Sequence, residues 1–167
     1  MTQNRNILIV EDDPKSQELA CQILIQKGYR AEGVGTGEAA VRRVGKKGIA
    51  AVLLDMSLPD ISGLDVVRRI RNLPQAADLP VIGVTGHVGA DQAELCREAG
   101  CTAFVEKPVR WEHLTETLEA LLSREKPPVF SSLLEGLARL EAAKGETRTG
   151  DESAETGPMA AGAKASP

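Results

Sequence analysis

Val52-Leu53-Leu54-Asp55-Met56-Ser57-Leu58-Pro59-Asp60-Ile61-Ser62-Gly63 is the stretch that decides the fold. An unbroken apolar run from Ile49 to Leu54 is what a strand covered on both faces requires. It stops at an acid, Asp55, and a loop punctuated by Pro59 and Gly63 follows. Leu64, Val67 and Ile70 then recur at helical spacing, which predicts a helix with Arg68, Arg69 and Arg71 facing outward. The same grammar repeats on either side. Upstream, Ile7-Leu8-Ile9-Val10 runs into Glu11-Asp12-Asp13. Downstream, Val81-Ile82-Gly83-Val84 runs into Thr85, and Ala103-Phe104-Val105 into Glu106-Lys107-Pro108. Four apolar runs thus each end on a reactive side chain.

The segments between these runs read as helices. Pro14 opens one at a position where a first turn tolerates proline. Leu19, Ile23 and Leu24 form its apolar stripe, and Gly28 stops it. A weaker strand is expected over Arg30 to Val34, then a helix over Gly37 to Val44 with Ala40, Val41 and Val44 on one stripe. Asp91 is the expected N-cap of a helix that runs to Ala99, with Gly100 closing it. Trp111 to Leu122 is the last helix of the series, with Leu114, Leu118, Leu121 and Leu122 inward. Five strands alternating with five helices imply an α/β, doubly wound, five-stranded parallel sheet with right-handed crossovers. In such sheets the site lies at the carboxyl ends of the strands, where strand order reverses. The reactive residues fall on that edge.

Composition narrows the class. Hydrophobic residues are 42% of the 167, but aromatics only 2%, so the core is built from Leu, Ile, Val and Ala. A net charge of -4 gives no single-sign field that would point to nucleic acid or a membrane surface. Cys21, Cys96 and Cys101 are odd in number and lack CxxC spacing. They read as core thiols in a reducing compartment rather than a disulfide frame or zinc site. No run approaches the length of a membrane span and no secretory h-region is visible, so a cytoplasmic location is expected.

Asp55 is the candidate nucleophile, since a carboxylate can attack a phosphoryl group to form an acyl phosphate. Repulsion between the two anions must first be cancelled, which hard oxygen ligands around magnesium accomplish. Asp12 and Asp55 are the natural carboxylate ligands, with Glu11 nearby and the backbone carbonyl of Ser57 completing the set. Lys107 suits one phosphoryl oxygen as a point charge, and the Thr85 hydroxyl another. Each residue taken singly has a plainer role: Asp12 and Asp13 as helix-start acids, Asp55 as a strand terminator, Lys107 and Thr85 in turns. All four plain roles holding together at matched strand exits is the weaker reading.

With these residues in place, the chain resembles the receiver domain of bacterial response regulators, of the chemotaxis-regulator-like, single-domain type. Carrying the resemblance are the run into Glu11-Asp12-Asp13, the stretch from Leu54 to Gly63, Val84-Thr85-Gly86, and Gly100-Cys101 through Lys107-Pro108. It covers about residues 5 to 123. The resemblance implies the flavodoxin-like fold with strand order 2-1-3-4-5. It implies Asp55 as phosphoacceptor, Glu11 and Asp12 as the acid pair, and Lys107 as the phosphoryl-contacting lysine. Thr85 and Phe104 would be the switch residues, and the Lys107-Pro108 peptide would be cis. It further implies magnesium as cofactor and a sensor histidine kinase or phosphotransfer protein as partner. The chain would be a phosphoprotein of a two-component phosphorelay that changes its binding to an unknown downstream protein, and a phosphorylation-dependent dimer is conceivable through the faces near residues 93 to 122.

Residues 1–123 are therefore expected to form the receiver domain and 124–167 a C-terminal extension. Within it, a short helix is expected over about 131–144, where Ser132-Leu133-Leu134-Glu135 fits a capping box, followed by a disordered tail. The 44 residues after Ser123 hold no recognisable output domain, which disfavours a DNA-binding factor. The tail's own composition mildly disfavours a segment of a larger hybrid kinase. A magnesium-dependent phosphohydrolase with an aspartyl nucleophile usually carries a second acid two residues on, where this chain has Ser57. The expected protein is accordingly not an enzyme on a separate metabolite. A phosphorylation-independent binding module is disfavoured by the intact Asp12, Asp55, Thr85 and Lys107 set.

Overall fold

The computed structural model describes residues 4–87 and 89–123. The helix expected over about 131–144 and the tail after it lie outside the described residues. Five strands form one parallel sheet: β1 (Asn6–Val10), β2 (Arg30–Val34), β3 (Ala51–Asp55), β4 (Val81–Thr85) and β5 (Ala103–Glu106). They lie in the order β2-β1-β3-β4-β5. Between and after them run α1 (Pro14–Gln26), α2 (Gly37–Val44), α3 (Gly63–Arg71), α4 (Ala90–Ala99) and α5 (Trp111–Leu122). The expected fold class and strand order hold.

Because the central strands are buried on both sides, alternate residues feed two cores. On one face Ile7, Ile9, Leu53, Ile82 and Val105 meet Ala20 and Leu24 of α1 and Leu114, Leu118 and Leu122 of α5. On the other, Leu8, Val10, Val52 and Leu54 meet Ala40, Val44, Val66, Val67, Ile70 and Cys96. Each fully buried Leu, Ile or Val stabilises by about 1.5–3 kcal/mol relative to exposure. Among the described residues two buried aromatics, Tyr29 and Phe104, are enough because branched aliphatics fill both layers.

Several local expectations shift. Strand β3 starts at Ala51 and includes Asp55, so the acid is the last strand residue and is held by the ladder. Leu19 was expected inward on α1, yet it is 53% exposed, and Ala20 and Leu24 make the buried stripe. Asp91 does not cap α4; Gly89 occupies the N-cap with no side-chain bond, and Asp91 sits in the first turn. Arg71 does not face outward. Its half-buried guanidinium donates to the carbonyls of Gly100, Ala76 and Leu79 and to Thr102 Oγ1. A short 3-10 turn at Pro74–Ala76, absent from the sequence reading, brings two of those carbonyls within reach.

The C-terminus of α4 explains two of the cysteines. Gly100 adopts φ 105°, in the left-handed region, and its N–H donates to Arg97 O at 3.0 Å. The Cys101 N–H donates to Cys96 O at 2.9 Å. This paired closure brings the side chains at both ends of the turn together inside the core. Cys96 and Cys101 are both buried, and Cys101 lies just before β5 rather than on it.

Candidate functional site

The sheet reverses direction of growth at β1, whose neighbours are β2 and β3. Its carboxyl end therefore opens a crevice between the β1 and β3 exits. Glu11 and Asp12 leave β1 there, Asp55 ends β3, Thr85 ends β4, and Lys107 follows β5. One carboxylate oxygen from each of Glu11, Asp12 and Asp55 falls in a set lying within 4.8 Å of one another. Asp13 takes a different course. Its carboxylate caps α1, accepting from the Ser16 N–H at 2.8 Å and the Ser16 hydroxyl at 2.7 Å. The three-acid run thus divides between a cluster and a helix cap.

Asp55 is only 4% exposed. A buried carboxylate needs partners, and it has two. Lys107 Nζ donates to Oδ2 at 2.7 Å, and the Ser57 N–H donates to Oδ1 at 2.8 Å. Lys107 also lies 3.5 Å from Glu11. Burial pulls the Lys107 ammonium down, but the hydrogen bond to Asp55 and the charges of Asp55 and Glu11 outweigh it, leaving the group above its ordinary value. Burial raises the Glu11 carboxyl and the Asp55 charge raises it further, against the Asp13 N–H and Lys107, which draw it down. Three carboxylates crowded around one ammonium form a site short of positive charge.

That donor set fits magnesium: hard oxygens, converging, with open space on the exposed Asp12 side. The structure brings together Glu11, Asp12, Asp55 and Lys107 and sets Ser57 against the Asp55 carboxylate. The peptide bond between Lys107 and Pro108 is cis, as expected. Thr85 is 7% exposed, and its hydroxyl donates to His87 O at 3.0 Å while accepting from His87 N at 3.2 Å. Phe104 is 3% exposed and pairs with Gly83 in the β4–β5 register.

The sequence reading missed one supporting acid. Asp60, in the loop after Asp55, accepts from the N–H groups of Gly37 at 2.9 Å and Glu38 at 3.0 Å. It thereby caps α2 across the chain, and those two N–H bonds hold its carboxyl below the ordinary range. A cap supplied from 23 residues away leaves no local signal. Gly63 was read only as loop punctuation. A Cβ there would stand 2.6 Å from Met56 Cα, so the glycine lets α3 start directly against the residue after Asp55.

A family model described as the response regulator receiver domain matches residues 7–119. This chain belongs to that family. Among curated relatives, the sensor histidine kinase RcsC of Salmonella typhi is 33% identical over 118 residues, covering 71% of this chain but 12% of that much longer protein. The polar-differentiation response regulator DivK of Brucella ovis is 27% identical over 118 residues, covering 71% of this chain and 96% of its own length. Among solved structures, the receiver domain of the sensor histidine kinase PA1611 from Pseudomonas aeruginosa PAO1 superimposes with a TM-score of 0.67 at 30% identity. It covers 72% of this chain and 98% of that one, and it holds a magnesium ion coordinated in its active site cleft. No described helix of the present chain is long and apolar enough to cross a membrane.

Proposed function

We propose that this chain is a phosphorylation-controlled signalling switch in which Asp55 accepts the phosphoryl group. The observation that carries this reading is a nearly buried Asp55 carboxylate paired with Lys107 Nζ at 2.7 Å beside two further acids. A phosphohistidine on a sensor histidine kinase or phosphotransfer protein is the donor. An Asp55 oxygen forms the new O–P bond as the P–N bond to imidazole breaks, and the imidazole departs. Glu11, Asp12, Asp55 and the Ser57 carbonyl would hold magnesium, which supplies charge neutralisation for the incoming phosphoryl oxygens. Lys107 leaves its bond to Asp55 Oδ2 and pairs with a phosphoryl oxygen.

The readout begins at Thr85. Its hydroxyl is committed to both the carbonyl and the N–H of His87. Turning it toward the phosphoryl group breaks those bonds and releases the segment that leads to α4. That helix starts at Gly89 with no side-chain cap, so its first turn is the weak end to be reshaped. Phe104 on β5 repacks with it. The altered α4-to-α5 face then changes binding to a downstream protein or to a second copy. The reading has the protein act in the cytoplasm, through protein partners rather than nucleic acid or membrane, and catalyse only its own phosphorylation and dephosphorylation. Asp55→Asn should abolish labelling by a small phosphodonor with magnesium; undiminished labelling refutes the assignment.

A further inference from the structure

Where β1 ends, two acids of the cluster flank a single peptide bond. The Glu11 N–H still donates to Val34 O at 3.1 Å, and β2 stops at Val34. The Glu11 carbonyl lies past that bond, and its donor comes from α1: Gln17 Nε2 donates to Glu11 O at 2.8 Å. The Glu11 carbonyl and the Asp12 N–H share one rigid plane. Holding that carbonyl therefore sets the directions in which the Glu11 and Asp12 side chains depart. A further bond, from the Asp13 N–H to Glu11 Oε1 at 3.1 Å, steadies the Glu11 carboxylate itself.

The course of the Gln17 side chain is set by a neighbour. Gly33 on β2 leaves the space: a Cβ there would run into Gln17 Oε1, Cδ and Cγ, the last at 2.6 Å. Gly33 is exposed and its φ is not in the left-handed region, so its own backbone conformation does not demand a glycine. Glycine inside a strand weakens it and often marks a close approach. Here what approaches is the Gln17 amide on its way to Glu11.

We infer that Gln17 is a positioning residue that makes the acid cluster select magnesium over larger divalent cations. It acts through the Glu11–Asp12 peptide rather than by contact with the cation, and the inference rests on the magnesium reading of the cluster above. Magnesium demands a near-ideal octahedron of oxygens at about 2.0–2.1 Å, whereas calcium accepts about six to eight oxygens at about 2.3–2.6 Å in flexible arrangements. Carboxylates on a loosened peptide still satisfy calcium but no longer present magnesium with a fixed set. A side chain that only satisfied a carbonyl would affect stability and leave the choice of cation alone.

The test titrates the full chain with magnesium chloride and with calcium chloride, following the amide resonances of residues 11–13. Gln17→Met keeps the unbranched stem but has no donor. It should weaken magnesium binding about tenfold, the lower end of what loss of an outer-shell partner costs, and change calcium binding by less than about twofold. Gly33→Ala should evict the Gln17 amide and reproduce the loss of selectivity, with a urea midpoint at or above the parent's because a strand glycine is gone. Since both changes break the same bond, the double variant should lose no more than Gln17→Met alone. A Gln17→Met protein with the parent's magnesium affinity, or with equal losses for both cations, overturns the inference. A parent that binds neither cation overturns the magnesium reading and this inference with it. A parent that binds magnesium selectively but takes no label from a phosphodonor overturns the phosphoacceptor reading alone.

Discussion

Lys107 Nζ lies 2.7 Å from Asp55 Oδ2, placing a cation against a carboxylate that is 4% exposed. The same ammonium reaches Glu11 at 3.5 Å. Lys107 and a divalent cation therefore draw on the same negative charge but serve different steps. Lys107→Met should bind magnesium more tightly, because a competing positive charge is gone. It should also accept phosphoryl groups about 100-fold more slowly, the usual cost of removing one preorganised donor. Metal titration and donor labelling on one preparation check the two directions; if both fall together, Lys107 is only structural.

Thr85 holds both polar backbone groups of His87, so removing its hydroxyl should loosen the approach to α4 without touching the acids. Thr85→Ala should retain phosphoryl uptake within a few-fold of the parent. Amide exchange over residues 86–94 should be faster before phosphorylation and should change little after it. Thr85→Ser keeps the hydroxyl and should restore the response. A Thr85→Ala protein whose exchange still responds fully to the phosphoryl group would remove Thr85 from the switch.

What was legible in the sequence and what was not divides on physical lines. Buried parallel strands announce themselves by continuous apolar runs, and their exits fixed the acids and Lys107 at one edge. The helix faces were read less well. Leu19 and Ile23 share one i,i+4 row and Ala20 and Leu24 the next; the sheet lies under the second row, and periodicity does not say which flank of a stripe is covered. Arg71 was placed outward because charged residues usually are; only the fold reveals the carbonyls of Ala76, Leu79 and Gly100 converging on it. Asp60 caps a helix 23 residues away in sequence, which no local pattern encodes.

The Gly63 contact makes loop geometry testable. A Cβ at this position meets the backbone of Met56 at 2.6 Å, and backbone cannot rotate aside as a side chain can. Gly63→Ala should destabilise the fold by about 1–3 kcal/mol, the range for overpacking. It should also displace the residues just after Asp55, where Ser57 donates to the carboxylate. Magnesium affinity should fall along with the urea midpoint. Unchanged affinity in a folded Gly63→Ala protein would show that the loop does not set the metal site.

Acid sensitivity has an identifiable contributor at the sheet edge. Glu32 on β2 is gripped by Arg43 of α2 at 2.6 and 2.8 Å, with Asn6 as a further donor. The hydrogen bonds from Arg43 outweigh burial and hold the Glu32 carboxyl below its ordinary value. A depressed acid contributes stability that is present above its unfolded value, about 4.3, and lost as pH falls through the lower folded value. Because the pair is partly exposed, its neutral-pH contribution is at most about 1 kcal/mol. Glu32→Gln should lose that amount at pH 7 and show a shallower decline below about pH 4.3, read from urea midpoints across pH. Parallel stability curves for parent and variant would exclude Glu32 as a source of the acid limb.

Arg71 ties four parts of the chain together. One guanidinium satisfies Ala76 O and Leu79 O before β4, and Gly100 O and Thr102 Oγ1 before β5. Removing it takes the side-chain donor from the carbonyls of Leu79 and Gly100, while Ala76 O keeps the Leu79 N–H, and losing a donor to a half-buried carbonyl costs more than the bond itself contributes. Arg71→Met should lower the unfolding free energy by about 2–3 kcal/mol, with the m-value unchanged. Arg71→Lys should recover little, since a point charge cannot reproduce donors spread over a planar fork. The effect should concentrate where α4 ends, so amide exchange at Gly100 to Ala103 should rise more than in α1. Since Arg71 makes no contact with the acid cluster, magnesium affinity of the folded variant should match the parent. A variant that keeps its stability but loses magnesium binding would mean that the far end of α4 communicates with Asp55, and that the pinned and switching ends of that helix are not separable.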